Sequence, residues 1–233
     1  MFELTASFQV EERGFEHAAT MPGARPAQLS RAPLQSRDVD PPPLCAEAPP
    51  PESVPTQAQR FARYAADPRV PARVRAALAE RAALPFPLDL RLIDPVDKVS
   101  PEARPARQLA WLRAPQRLSD DAALHRCVVA YGSDFALLET ALLPHARAVT
   151  HRALRAASLD HAMWFHAPFR ADEWLLYELE SPAASGGRGL SFGRLFNRSG
   201  TLIASVAQEG LIRFSEQTPA PAPAAGPTAR ARL

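Results

Sequence analysis

Apolar and polar residues alternate along Ser158 to Tyr177 (SLDHAMWFHAPFRADEWLLY) and again along Ala204 to Arg213 (ASVAQEGLIR). A period of two marks a strand. A regular strand puts Ser158, Asp160, Ala162 and Trp164 on one face, and Leu159, His161, Met163 and Phe165 on the other. Pro168 ends that run, and Trp174 to Leu179 begins the next. In all, the second half reads as four strands: Arg155 to His166, Glu173 to Ser181, Arg188 to Arg198 and Thr201 to Phe214. Asn197-Arg198-Ser199-Gly200 joins the last two as a hairpin turn. Upstream, Pro87 to Ile93 alternates with Leu88, Leu90 and Leu92 on one face, and Gln108 to Ala114 can form another strand. Met1 to Val10 also alternates, and its pairing partner must be distant in the chain or on another chain. A strand carrying Ser, Asp and two His among its hydrophobes calls for chemistry or binding, because buried polar groups need partners.

Between these strands the period changes. Leu124, Val128, Tyr131, Phe135, Leu138 and Leu142 recur at steps of four and three, one apolar stripe along five helical turns. Ser119-Asp120-Asp121 caps its start, Gly132-Ser133 is a place for a kink, and Pro144 ends it. Two shorter helical pieces fall within Gln57 to Ala82, separated by Asp67-Pro68, with Phe61, Tyr64 and Ala65 as the apolar face of the first. Val70, Val74, Ala77 and Leu78 are that of the second, which Pro71 opens. One long helix followed by consecutive strands predicts an α+β domain whose antiparallel sheet wraps the helix. Asp134 lies beside the stripe, near Cys127, Ala130 and Leu137. Such neighbours would desolvate the carboxylate, raise its pKa and suit it as a base; a solvent-facing mid-helix Asp is the other reading.

Composition narrows this picture. The 25 Pro residues cluster at the flanks, so residues 11–56 read as a flexible Pro-rich linker and 216–233 as a disordered tail. The 27 basic and 25 acidic side chains nearly balance, at a net charge of +2. That argues against a nucleic-acid partner, which would meet a basic face. Two cysteines, Cys45 in the linker and Cys127 in the helix, make no disulfide framework, and a reducing compartment fits. No apolar run reaches the roughly 18 residues of a membrane span, and no secretory signal pattern opens the chain. The expectation is a soluble intracellular protein.

With these elements in place, the segments HRCVVAYGSDFALLETALLPH and ASLDHAMWFHAPFRADEWLLYELESPAASGGRGLSFGRLF, followed by ASVAQEGLIR, resemble the second half of the type II acyl-CoA thioesterases, the bacterial thioesterase B and peroxisomal acyl-CoA thioesterase group. The resemblance covers Leu84 to Arg213. It implies a hotdog fold, and hydrolysis of fatty acyl-CoA thioesters to free acid and CoA without a cofactor or metal. It also implies a catalytic trio: Asp134 of YGSDF, Ser158 of the SLDH strand and Gln208 of the QEG strand. Thioester hydrolysis needs an aimed water and a proton acceptor. Asp134 would take the proton while Ser158 and Gln208 hold the water. The oxyanion would be met by backbone N–H groups or by the Gln208 amide.

His161 and His166, at odd spacing, belong to opposite strand faces, and no Cys or carboxylate cluster completes a tetrahedral metal set. They are read as packing or hydrogen-bonding the strand. Arg170, Arg188 and Arg194 could meet CoA phosphates, or simply serve the surface. Members of this family carry two hotdogs on one chain, whereas Met1 to Val10 resembles only the last strand of the first. The expected division is therefore 1–10 as a remnant strand of a first hotdog, 11–56 as linker, 57–83 as a helical connector, 84–215 as one complete hotdog, and 216–233 as tail. A lone second hotdog leaves an edge and an apolar face to be covered. Homodimerisation, pairing with a full-length relative, and poor stability are the outcomes expected of it. An impaired subunit that binds acyl-CoA, or pairs with an intact thioesterase, is the alternative function. Ala231-Arg232-Leu233 is a conservative variant of the Ser-Lys-Leu peroxisomal address and would engage the import receptor.

Overall fold

The protein was studied as a computed structural model, which describes residues 14–19, 48–97, 99, 102–145 and 153–214. The strand expected at Met1 to Val10, Cys45 and the tail with Ala231-Arg232-Leu233 lie outside the described residues.

The described elements in chain order are β1 (His17–Ala18), α1 (Gln57–Ala66), α2 (Ala72–Ala83), β2 (Asp89–Ile93), β3 (Arg107–Arg113), α3 (Ala122–Ser133), α4 (Leu137–Thr140), β4 (Leu154–Ser158), β5 (Ala162–Phe165), β6 (Leu175–Ser185), β7 (Arg188–Phe196) and β8 (Leu202–Phe214). Among these, eight strands form one antiparallel sheet ordered β2-β3-β6-β7-β8-β4, with β1 added to β6 and β5 to β8. Inward-facing side chains from β2, β3, β6, β7 and β8 share one core with Val129 of α3 and Leu137 of α4. The sheet thus curls around the helical segment, the α+β hotdog arrangement.

The helix departs from the expected single five-turn rod. It stops at Ser133, and Ala136 takes a left-handed conformation (φ 66°) before α4 begins. That geometry is uncommon for a residue with a side chain. Its carbonyl recovers some of the cost by accepting from Gln108 Nε2 at 3.0 Å and Thr140 Oγ1 at 2.9 Å. The buried face differs too. His125, Val129 and Gly132 point inward, whereas Leu124 and Tyr131 of the expected stripe are exposed. Gly132 explains this turn of the helix: a Cβ there would come within 2.8 Å of Leu112 and 3.0 Å of Leu88, so the side lacking a side chain must press on the sheet.

The connector also differs from a structureless linker at both ends. His17 and Ala18 pair with Ala184 and Ala183, and Phe15 packs on His145 and Phe214. Residues 48–54 cover the sheet's outer face: Trp111 Nε1 donates to Pro49 O at 2.8 Å, and Val54 is buried with Leu109, Trp111, Trp174 and Leu176. The inner neighbours of those residues face the helix, so β3 is buried on both faces. Helix α1 opens with a capping box, in which Thr56 Oγ1 accepts from Gln59 N and Gln59 Oε1 accepts from Thr56 N. Phe61, Tyr64 and Ala65 are half-buried as expected, while Val74 and Ala77 of α2 are exposed.

Candidate functional site

The run expected as one strand, Arg155 to His166, is two. β4 pairs with the far part of β8 (Ser158↔Gly210), and β5 with its near part (Ala162↔Ala207). Three residues, Leu159, Asp160 and His161, therefore stand opposite two, Gln208 and Glu209. This is a β-bulge. Its turn is pinned by Leu159 N and Asp160 N, which both donate to Glu209 O, and by Glu209 N, which donates to Asp160 Oδ1 at 2.8 Å. One extra residue reverses the face parity, so Ser158 and His161, opposed in a regular strand, both reach inward. Among the described strands this run lies at the sheet's edge, and most of it is exposed.

Gln208 is 1% exposed on β8 and points at this bulge. Its Nε2 lies 2.6 Å from Asp134 Oδ1, 2.9 Å from Ser158 Oγ and 3.2 Å from His161 Nδ1. Ser158 Oγ is itself 3.4 Å from Asp134 Oδ1. The three residues singled out by the sequence thus meet, although they are 24 to 74 positions apart along the chain. Asp134 follows α3 as its C-cap, with its N–H on Gly132 O. It is exposed, not desolvated among small apolar neighbours as one reading held. The helix break turns it out of the core and towards the sheet edge.

The amide has two N–H bonds for three nearby acceptors. The hydrogen-bond chain around His161 assigns their use. Ser133 Oγ donates to Ala130 O at 2.9 Å, so its 2.8 Å contact with His161 Nε2 makes that nitrogen the donor. Nδ1 is then a bare acceptor facing Gln208. Placing the amide oxygen at Asp134 instead would set oxygen against carboxylate, so the nitrogen end belongs there. Behind this cluster, Tyr177 OH donates to Ser133 O at 2.7 Å. Burial first, and the Asp134 charge second, push the Tyr177 phenol far above its ordinary pKa, so it remains a donor.

Sequence reasoning left Ser133 and Tyr177 out of the site and read His161 as packing or hydrogen-bonding the strand. Only the bulge would have flagged His161, and nothing in a period-two pattern announces a bulge. His166 bonds Ser205 Oγ on the other face. Arg170 is engaged by Asp172 and Asp120, Arg188 by Glu209 and Arg194 by Glu178, so all three bind carboxylates of the same chain. Clefts of about 540 and 490 Å³ run along the helical connector, and none of the clustered polar residues lines them. Among the described residues no three His, Cys, Asp or Glu side chains gather as a metal set, and no helix is long and apolar enough to cross a membrane.

Comparison with known proteins relates this chain to others of known kind. Residues 99–211 match the family model described as acyl-CoA thioesterase. The chain is 41% identical over 191 residues to acyl-coenzyme A thioesterase 8 of Mus musculus, covering 82% of this chain and 58% of that protein. It is 36% identical over 213 residues to acyl-CoA thioesterase 2 of Haemophilus influenzae, covering 91% and 64%. A crystal structure of an acyl-CoA thioesterase II from Mycobacterium marinum is 46% identical, at a TM-score of 0.49 over 56% of this chain and 51% of that one. The chain spans little more than half the length of the curated relatives it matches.

Proposed function

Since the chain belongs, through residues 99–211, to the acyl-CoA thioesterase family, we propose that it hydrolyses fatty acyl-CoA thioesters on a water held by Asp134, Ser158 and Gln208. The observation that carries this is the Gln208 amide, buried and bound at once to the Asp134 carboxylate and the Ser158 hydroxyl. The water sits on the open side of Asp134 and Ser158. Its oxygen attacks the thioester carbonyl carbon while Asp134 takes the proton. The tetrahedral adduct then collapses, the C–S bond breaks, and the CoA thiolate recovers the proton as thiol. Both amide hydrogens of Gln208 are drawn into the trio and His161, so the developing oxyanion falls to backbone N–H donors. No covalent acyl-enzyme forms.

The test is thiol release from a long-chain acyl-CoA by the full chain, compared with Asp134→Asn. General-base loss should lower kcat by about 10² to 10⁴, with binding of a non-hydrolysable acyl-CoA analogue retained. Equal turnover by both forms would remove Asp134 from the role. A second copy covers the exposed β4–β5 edge in this reading, as the exposed Leu159, Trp164 and Phe165 support. Where Leu233 ends the chain in the cell, Ala231-Arg232-Leu233 would direct it to the peroxisome. A fluorescent fusion that stays cytosolic with the tripeptide intact would sink that address.

A further inference from the structure

Two buried polar atoms belong to neighbouring residues beside the trio, and the arrangement of the trio uses neither. Ser191 on β7 and Gln208 on β8 are direct cross-strand partners, and such a pair shares one face with Cβ atoms about 4.5–5.5 Å apart. Both point inward, at 0% and 1% exposure. Ser191 Oγ and Gln208 Oε1 are each buried with no hydrogen-bond partner among the described residues. One is an obligate acceptor, and the other carries a freely rotating donor. A pair so matched and so placed has an evident use.

We infer that Ser191 is a positioning residue: its hydroxyl is linked to Gln208 Oε1 through one bound water, and so fixes which end of the amide faces Asp134. A site with two polar partners can hold such a water. Without this link the amide is distinguished at its nitrogen end alone. With it, Asp134 selects the nitrogen and Ser191 the oxygen, and both hydrogens stay aimed at Asp134, Ser158 and His161. The simpler reading is that position 191 merely needs a small residue. It lies between Gly189 and Gly193, where an added Cβ would strike Ala141 and Tyr177 respectively. Size alone would be met equally by alanine, and that separates the two readings.

The catalytic consequence rests on the proposed thioesterase reaction, and the test therefore has one arm that needs no activity. Ser191→Ala, Gln208→Ala and the double variant are compared in the full chain. Ser191→Ala should lower kcat about tenfold, the scale of one lost buried hydrogen bond, with KM changed less than about twofold. In the Gln208→Ala background it should cost almost nothing further, because both changes act through one group. Ser191→Cys, which keeps a weak donor, should fall between wild type and Ser191→Ala. In the second arm, the Gln208 side-chain ¹⁵NH₂ resonances, assigned by their loss in Gln208→Ala, should exchange with solvent about tenfold faster in Ser191→Ala. Equal losses in both backgrounds, or a loss confined to KM, would overturn the role, as would unchanged amide exchange. If the wild-type chain does not hydrolyse acyl-CoA but the exchange quickens, the reaction assignment fails and the Ser191–Gln208 link stands.

Discussion

Tyr177 ties the buried core to the candidate site through a single bond. Its ring is fully buried beneath α3, and its hydroxyl satisfies the Ser133 carbonyl at the helix end from which Asp134 projects. Tyr177→Phe keeps the ring's volume but leaves that carbonyl buried without a donor, a cost of about 1–3 kcal/mol. The expected outcome is a lower urea midpoint together with a lower kcat, since the last turn of α3 loses its anchor. An unchanged midpoint would mean that Ser133 O finds another partner and that the coupling to Asp134 is absent. At this scale the sequence was informative about which residues meet and silent about their surroundings. Asp134, Ser158 and Gln208 stand in recognisable linear segments, whereas the exposure of Asp134 depends on how the chain turns after Ser133, through the left-handed Ala136, which the apolar stripe does not encode.

Among the elements, the short strand β1 is where a pH dependence is expected. It lies beside a pair of histidines: His17 Nδ1 is 3.5 Å from His145 Nε2, while His17 Nε2 is 3.2 Å from Ser181 Oγ. Burial first, and the His17 charge second, lower the His145 pKa from its ordinary 6.5. A lowered histidine pKa favours the neutral form in the folded state. Its contribution is fully present above 6.5 and is lost as pH falls below that value. Docking of residues 14–19 should therefore loosen between pH 7 and 5. The Ala19 amide, which donates to Pro182 O at 2.7 Å, reports on it through hydrogen exchange corrected for the intrinsic rate. Protection that stays flat over this range, or that falls equally in His145→Gln, would rule the mechanism out. The bulge at Leu159–His161 is the other element that pattern alone misplaced, because its extra residue is defined only by what stands across from it on β8.

At the scale of the whole molecule, the candidate site lies on the border of the described sheet. Among the described residues β4 and β5 pair only with β8, and Leu159, Trp164 and Phe165 are 49%, 54% and 38% exposed along that border. Asp134 and Ser158 are exposed at the same place. An exposed apolar sheet edge is a template for association. The full chain should therefore run in solution at about twice its 25.3 kDa, with specific activity falling as dilution separates the copies. Light scattering on a size-exclusion column, at two protein concentrations, measures the first. A fully active monomer at nanomolar concentration would exclude the need for a covering partner.

The sequence by itself determined the kinds of element and their order. Strand and helix identity rests on side-chain alternation among near neighbours, so β2, β3, β6, β7 and β8, the Asn197–Gly200 turn and the capped start of α3 were all legible in it. It also determined which three segments carry the candidate chemistry. Gly132-Ser133 marked the place of a kink, but the tertiary structure alone decided that the helix stops there and which of its faces is buried. It decided as well how one extra residue brings His161 to the side of Ser158, and how residues 14–19 and 48–54 of the Pro-rich stretch come to cover the sheet. These outcomes depend on contacts between distant positions: Gly132 on Leu112 and Leu88, Gln208 on Asp134, and His17 on Ser181 across 164 residues. Local pattern carries no record of what a residue will meet once the chain has closed on itself.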